Sequence, residues 1–141
     1  MDAVLTLTDA PTAEQQRVIG SGLAKFNAEQ AGYSDSRDLA ILASDPATQQ
    51  VVGGLLGRTS LGILFVDLFY VPDALRGQQL GSRVLAAAED EARRRGCSAA
   101  VLYTISFQAP GFYERHGYRA FGTIACDPPD TSRVFMTKPL K

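Results

Sequence analysis

Arg76, Gly77 and Gly81 stand close together where an apolar run, GILFVDLFYVP, gives way to an alanine-rich stretch of helical periodicity. A plain strand-to-helix turn needs one glycine. Two glycines and an arginine at the mouth of a helix suit a loop that lays bare backbone amides against a phosphate. The amides from Gln78 to Ser82 would face such a group with the helix dipole behind them. Gly77 and Gly81 allow close approach, and Arg76 or Arg83 adds a charge-assisted contact. The ligand class so defined is a compact polyanion. The chain has no Gly-x-Gly-x-x-Gly after a first strand and no Gly-Lys-Ser/Thr, so dinucleotide-fold and P-loop readings are poor.

A second residue with chemical potential is Asp67, the only acid in the apolar run LFVDLFYV. An aspartate in such a strand is uncommon unless it is paired or functional. It either meets an ammonium group or takes its proton, or it pairs with an arginine such as Arg58 on the neighbouring strand. His116 precedes Gly117 at a helix end, where a cation suits the dipole, and is read as structural. Cys97 and Cys126 have no histidine near them in sequence, so a cysteine nucleophile is not expected.

These residues need elements to hold them. The length of 141 residues is that of one ordinary domain, and 45% hydrophobic residues suffice for a core without metal or disulfide staples. Residues 3–8, AVLTLT, alternate as a first strand. Thr12 caps a helix with Val18, Ile19, Gly22, Leu23 and Phe26 on one apolar stripe, ending at Gly32. Strands follow in DLAILASD, QQVVGGLLGRTS and GILFVDLFYVP, the last apolar on both faces like a central strand. A helix runs from about Gln79 to Arg95, then a strand SAAVLYTI and a short helix QAPGFYERHG. YRAFGTIAC and SRVFMTKPL close the chain as strands. The triplet Arg93-Arg94-Arg95 reads as a solvated, dipole-compatible helix end. The order β-α-β-β-β-α-β-α-β-β, without repeats or linkers, predicts one α/β domain over residues 1–141 with a mixed sheet.

Bulk properties narrow the partners. A formal net charge of −1 favours neither nucleic acid nor an anionic membrane surface. One histidine and no Cys-x-x-Cys pair argue against a metal site. The N-terminus lacks the pattern of a signal peptide, and no apolar run approaches a membrane span. The expectation is a cytoplasmic protein.

The run RGQQLGS after Val71-Pro72, followed by SFQAPGFYERHGY, resembles the GNAT acetyltransferase superfamily, whose phosphate motif is Gln/Arg-x-x-Gly-x-Gly/Ala. Arg76, Gly77-Gln78, Gln79, Leu80 and Gly81 fill its positions. Gln79 replaces the middle glycine, which implies a different backbone angle there, because left-handed backbone does not freely exchange glycine for glutamine. The resemblance implies a mixed, mostly antiparallel central sheet flanked by helices, and acetyl-CoA as acyl donor. It implies that the main-chain amides of Phe69, Tyr70 and Val71 meet the pantetheine arm and the thioester oxygen. In the second motif Ala109, Tyr113, Gly117 and Tyr118 match. By that likeness Tyr113 lies near the CoA sulfur and protonates it, while Ser106, standing where many relatives have Asn, and Gln108 are CoA contacts. Relatives often use an acid on the central strand as base, which here is Asp67. The segment FNAEQAGYSDSRD falls where relatives build an acceptor wall, which nominates Asn27, Glu29, Tyr33 and Asp35.

The function so implied is acetyl transfer to a primary amine of a small molecule or peptide, by direct attack in a ternary complex, without metal. A CoA-binding module with weak or lost catalysis is the alternative, kept open by Gln79 and Ser106. A toxin acting on charged tRNA would be expected to show a more basic surface. A homodimer, with terminal strands paired across the interface, is a further expectation.

Overall fold

The computed structural model describes all 141 residues. Thr12 begins the first helix. Its hydroxyl accepts from the Gln15 amide at 3.1 Å, and the Gln15 side chain accepts from the Thr12 amide at 2.8 Å. This capping box satisfies two donors that a helix start would otherwise leave orphaned. The helix, α1 (Ala13–Ala31), exits through Gly32 at a left-handed φ of 88°. Its stripe differs from expectation: Val18, Ile19, Leu23 and Phe26 are all exposed. The expected strand at residues 3–8 is absent, since no strand of the sheet pairs with that segment. Alternating β-formers make a strand only where a neighbour completes the ladder. Met1–Ser34 form one compact unit and Asp35–Lys141 another.

The second unit is built on a six-stranded sheet. Its strands are β1 (Arg37–Ser44), β2 (Val51–Ser60), β3 (Ile63–Tyr70), β4 (Ala99–Ile105), β5 (Arg119–Cys126) and β6 (Thr131–Pro139). Their spatial order is β1-β2-β3-β4-β6-β5, antiparallel throughout except for the parallel β3–β4 pair. The long helix α2 (Leu80–Arg94) makes the crossover between those two strands, and the short α3 (Pro110–Arg115) follows β4.

The hairpin joining β2 to β3 turns through Leu61 at φ 49° and Gly62 at φ 84°. Two successive left-handed residues match the right-handed twist of the flanking strands. Leucine has no intrinsic liking for that conformation, and the Asp35 carboxylate holds it by accepting the Leu61 amide at 3.0 Å.

One face of the sheet is covered. Leu39, Leu55, Leu64, Val66, Ala100, Leu102 and Met136 pack with Val84, Leu85, Ala88 and Ala92 of α2. Ala88 and Ala92 carry no bulk, so the helix backbone lies close to the strands, and each large side chain buried there contributes about 1.5–3 kcal/mol. The other face exposes Leu42, Leu56, Leu68, Tyr70, Tyr103, Phe121 and Ile124. The third strand is therefore apolar on both faces but buried on only one.

The arginine triplet is a solvated end only in part: Arg93 and Arg94 are exposed in the last turn, whereas Arg95 is largely covered. Arg95 Nη1 donates to the Asp38 carbonyl at 3.0 Å and to Thr59 Oγ1 at 3.1 Å, while its Nε bonds Glu91 at 2.8 Å. Arg93 Nε reaches the Leu140 carbonyl at 2.9 Å. The guanidinium forks tie the helix end to strand backbone, and among the three Arg94 is the most exposed. At the middle of α2, buried Glu89 accepts from Tyr118 Oη at 2.8 Å and from Lys138 Nζ at 2.7 Å. Burial, then the Glu89 carboxylate, pushes the Tyr118 phenol far above its ordinary range.

Candidate active site

β3 and β4 pair only where Ile63–Phe65 lie opposite Ala99–Val101. Both strands continue, to Tyr70 and to Ile105, but without a shared ladder. A bulge contributes to the divergence: Leu56 pairs with Leu68 and Gly57 with Val66, so Asp67 has no opposite number on β2. The parting strands leave backbone groups of Val66–Tyr70 free of the partner that a closed sheet would supply.

The wedge opens into a cleft of about 720 Å³. Phe69, Tyr70 and Val71 form one wall. Arg76, Gly77, Gln79, Leu80, Gly81 and Ser82 form its end. Thr104, Phe107, Gln108, Ala109, Phe112, Tyr113 and Arg115 form the other wall. At the end wall the first α2 hydrogen bond runs from the Arg83 amide to the Gln79 carbonyl at 3.0 Å. The amides from Gly77 to Ser82 have no backbone acceptor. A row of free donors at the positive end of a 15-residue helix is an anion cradle.

Gly77 takes φ 87°, a left-handed angle that glycine adopts without steric cost. Gln79 also sits in the left-handed region, at φ 58° and ψ 20°. The loop thus keeps the backbone angle of the motif's glycine instead of adopting another, which corrects the expectation drawn from the substitution. A Cβ on Gly81 would lie in van der Waals contact with the Phe112 ring at 3.4 Å and with Val71 at 3.9 Å. Arg76 is held by its own loop: Nε donates to the Val71 carbonyl at 3.0 Å, and the guanidinium pairs with Asp73. The side chain is otherwise exposed at the rim of the cleft.

Tyr113 is 8% exposed, and burial pushes its phenol up to about 12. Its ring is held edge-on by Phe69, Phe112 and Tyr118, at centroid distances of 6.2, 5.3 and 5.7 Å. No protein group accepts its hydroxyl hydrogen within hydrogen-bond reach. The site therefore holds a neutral phenol with a packed ring on the wall opposite the Phe69–Val71 strand.

Other nominated residues fall elsewhere or are engaged. Gln78 and Arg83 flank the cradle without lining the cleft. Ser106 pairs with β6, its amide donating to the Ser132 carbonyl at 2.8 Å and its Oγ accepting from the Ser132 amide at 3.0 Å. Gln108 Oε1 accepts from the Ile105 amide at 2.8 Å and from Thr104 Oγ1 at 3.1 Å, which fixes the turn, and the residue lines the cleft. Asp67 pairs with Arg58 at 2.8 Å and does not line the cleft. Asp35 serves the β2–β3 hairpin, at the end of β3 away from the cleft, some ~20 Å along the strand. Asn27 and Glu29 lie on α1 and Tyr33 just beyond it, in the first unit.

Sequence reasoning missed Thr104, Phe107, Phe112 and Arg115 as lining residues, and it gave His116 no place at the site. The ring of His116 lies 4.5 Å from that of Phe112, and Nε2 is 2.8 Å from Ser82 Oγ, which links α3 to the cradle. Phe112 and Arg115 occupy the same six-residue helix as Tyr113. A helix that short at the rim exposes several of its residues to the cleft, and that signal was available.

A splayed parallel pair, an amide cradle beyond it and a buried phenol across from it are the parts an acyltransferase site would need. The sequence comparisons agree. The profile of the Acetyltransferase (GNAT) family matches residues 9–118. An acetyltransferase of Agrobacterium fabrum (strain C58) is 41% identical over 118 residues, covering 84% of this chain and 85% of that one. The blasticidin-S acetyltransferase of Streptomyces morookaense is 42% identical over 92 residues, 64% of this chain and 68% of the other. The crystal structure of a provisionally named acetyltransferase from Agrobacterium tumefaciens superposes with a TM-score of 0.88 at 36% identity, covering 97% of this chain and 99% of that one. The chain belongs to the GNAT family and is an acetyltransferase, in a family that uses acetyl-CoA.

Proposed function

We propose that the protein transfers the acetyl group of acetyl-CoA to a primary amine of a small molecule or peptide, by direct attack while donor and acceptor are both bound. The observation that carries this reading is the continuity of the cleft. The free strand edge at Phe69–Val71 runs directly into the free amides at Gly77–Ser82. A pantetheine arm needs extended partners and a pyrophosphate needs clustered donors, and the cleft offers them in that order. The donor set therefore fits the group.

Within that reading the Gly77–Ser82 amides and Arg76 bind the pyrophosphate, with Arg83 and Gln78 at the rim. The amides of Phe69, Tyr70 and Val71 orient the arm and stabilise charge developing on the thioester oxygen. Gln108 contributes its amide nitrogen, Ala109 its small side chain and Leu80 an apolar contact. Ser106 acts at one remove, by holding the turn to β6. Tyr113 donates a hydrogen bond to the departing sulfur. Direct attack is supported by the thiols: Cys97 is 2% exposed in the core, and neither cysteine lines the cleft. Burial, then Asp35, pushes the Cys97 thiol up, away from thiolate character.

The acceptor's proton is assigned to Asp67 through water, from the sheet face opposite α2. Asn27, Glu29, Tyr33 and Asp35 remain the proposed contacts for a cationic acceptor, with Asp35 acting through the hairpin it holds. The Streptomyces morookaense relative is named for the small molecule blasticidin-S, which supports a small-molecule acceptor here. We read residues 1–141 as one functional domain, because the family match at 9–118 crosses the boundary at Ser34. Unpaired Cys97 and Cys126 support a reducing, cytoplasmic setting. No helix is long and apolar enough to cross a membrane.

The test is a titration of the full chain with acetyl-CoA by calorimetry, paired with thiol release against polyamines, aminoglycosides, amino acids and short peptides. Micromolar binding with acceptor-dependent thiol release supports the reading. Binding without turnover across the panel moves the assignment to a CoA-binding module. No binding refutes the cradle. The exposed apolar sheet face supports a homodimer, and sedimentation of the purified chain as a monomer at all concentrations would refute it.

A further inference from the structure

His116 Nδ1 lies 2.8 Å from the carbonyl oxygen of Phe112, and Nε2 lies 2.8 Å from Ser82 Oγ. A carbonyl oxygen only accepts, so Nδ1 carries a hydrogen. Two states of Nε2 remain. In the neutral ring Nε2 is a lone pair, and it takes the single hydroxyl hydrogen of Ser82. The serine oxygen then presents only lone pairs to the cleft it lines. In the imidazolium Nε2–H donates to Oγ, and the hydroxyl hydrogen is free to turn toward an anion. The free amides of Gly77–Ser82 ask for an anion. The neutral histidine sets the hydroxyl against one.

We propose that His116 is a positioning residue that sets the direction of the Ser82 hydroxyl, so that binding of the CoA pyrophosphate is coupled to uptake of a proton by His116. The inference rests on the reading of the cleft as a CoA site. The proton balance is closed: a buffer acid gives up one proton as the Nε2–H bond forms, and the Ser82 hydrogen turns from Nε2 to the phosphate oxygen with its O–H bond intact. The ring is fixed for this role, since the Phe112 ring lies against it and the Phe112 carbonyl holds its far nitrogen.

The charged groups around it are identifiable. On its own element, α3, Arg115 lines the cleft and Glu114 precedes it. On α2, Arg83 follows Ser82. On the loop before α2, Arg76 is paired with Asp73. From β6, Lys138 packs toward Gly117 and is paired with Glu89. Arg83 and Arg115 carry no carboxylate partner, so the cradle is cationic before the ligand arrives. A bound dianion offsets that charge and makes room for the imidazolium.

The experiment is calorimetric titration with 3′-dephospho-coenzyme A, which lacks the phosphomonoester that would itself titrate near neutrality. Titrations in two buffers of different ionisation enthalpy, a little above neutral pH, count the protons taken up. Wild-type protein is expected to take up a proton on binding. Ser82→Ala and His116→Gln are each expected to abolish the uptake and to weaken binding about tenfold, the scale of one hydrogen bond to a charged group. The double variant is expected to bind no more weakly than either single one, because the two residues act as a unit. A merely structural histidine would weaken binding without abolishing the uptake and would add to the serine effect. Wild-type binding without uptake, uptake that persists in Ser82→Ala, or additive losses would each overturn the coupling while leaving the CoA site intact. Absence of wild-type binding would instead refute the site. Unchanged melting temperature in Ser82→Ala keeps the result interpretable if His116→Gln folds poorly.

Discussion

Tyr113→Phe separates binding from chemistry. Phenylalanine keeps the edge-on contacts with Phe69, Phe112 and Tyr118, so stability is expected to move by no more than about 0.5 kcal/mol. Only the hydroxyl is lost. The size of its contribution follows from the acidity of the phenol. Burial raises it to about 12, whereas an ordinary thiol lies near ~8.5. Full transfer of the proton to a departing thiolate is thus uphill by roughly 3.5 units, or about 5 kcal/mol. On the proposed reading Tyr113 is expected to act as a hydrogen-bond donor to the developing anion, without handing over its proton in the transition state. Such a bond contributes about 1.5–3 kcal/mol, so kcat is expected to fall by about 10- to 150-fold, well below the upper range for general acids. The same acidity fixes the pH dependence. The donor form is lost only as pH rises through about 12, so Tyr113 adds no alkaline limb near neutrality. Steady-state kinetics with saturating acetyl-CoA, alongside calorimetric binding, measures both quantities. A loss above 1,000-fold would mean that the proton is transferred, and an unchanged kcat would mean that Tyr113 only packs.

Other perturbations are simpler. Gln79→Gly relieves a left-handed residue that costs about 1–2 kcal/mol, part of which is returned by the freer unfolded chain, so the melting temperature is expected to rise by about 2 °C. No change would mean that the glutamine side chain compensates. Glu89→Ala leaves Lys138 and the Tyr118 hydroxyl without their partner and is expected to cost about 3 kcal/mol in urea unfolding. Asp67→Asn keeps the shape of the bulge but removes the carboxylate that pairs with Arg58. If Asp67 receives the acceptor's proton, kcat/KM for the amine falls about tenfold or more while binding of acetyl-CoA is unchanged. Equal rates would give that proton directly to solvent.

What the sequence shows of this fold is what is local. Thr12, Gly32 and the helix-ending Gly117 each act through residues a few positions away, and each stands where it was read. The strand at 3–8 and the buried stripe of α1 require partners distant in the chain, and alternation alone does not supply them. The arginine triplet departs from its reading in part, and for the same reason. Dipole logic describes a helix end in water, whereas Arg95 and Arg93 find carbonyls on β1 and at Leu140.

The site divides along the same line. The cradle was legible because a strand, a loop and a helix start are contiguous, and its spacing is set by backbone geometry. Even Gln79, which departs from the motif, keeps the left-handed angle, because the loop's closure demands it more strongly than the side chain resists it. Asp67 was legible only as an anomaly. The register slip that leaves it unopposed on β2 also belongs to the divergence of β3 from β4, so one irregularity both exposes a carboxylate and helps open the cleft. The link between His116 and Ser82 spans two elements whose meeting depends on how α3 packs beside the start of α2. No spacing rule encodes that contact. It follows from tertiary packing, which is where the control of this site's proton lies.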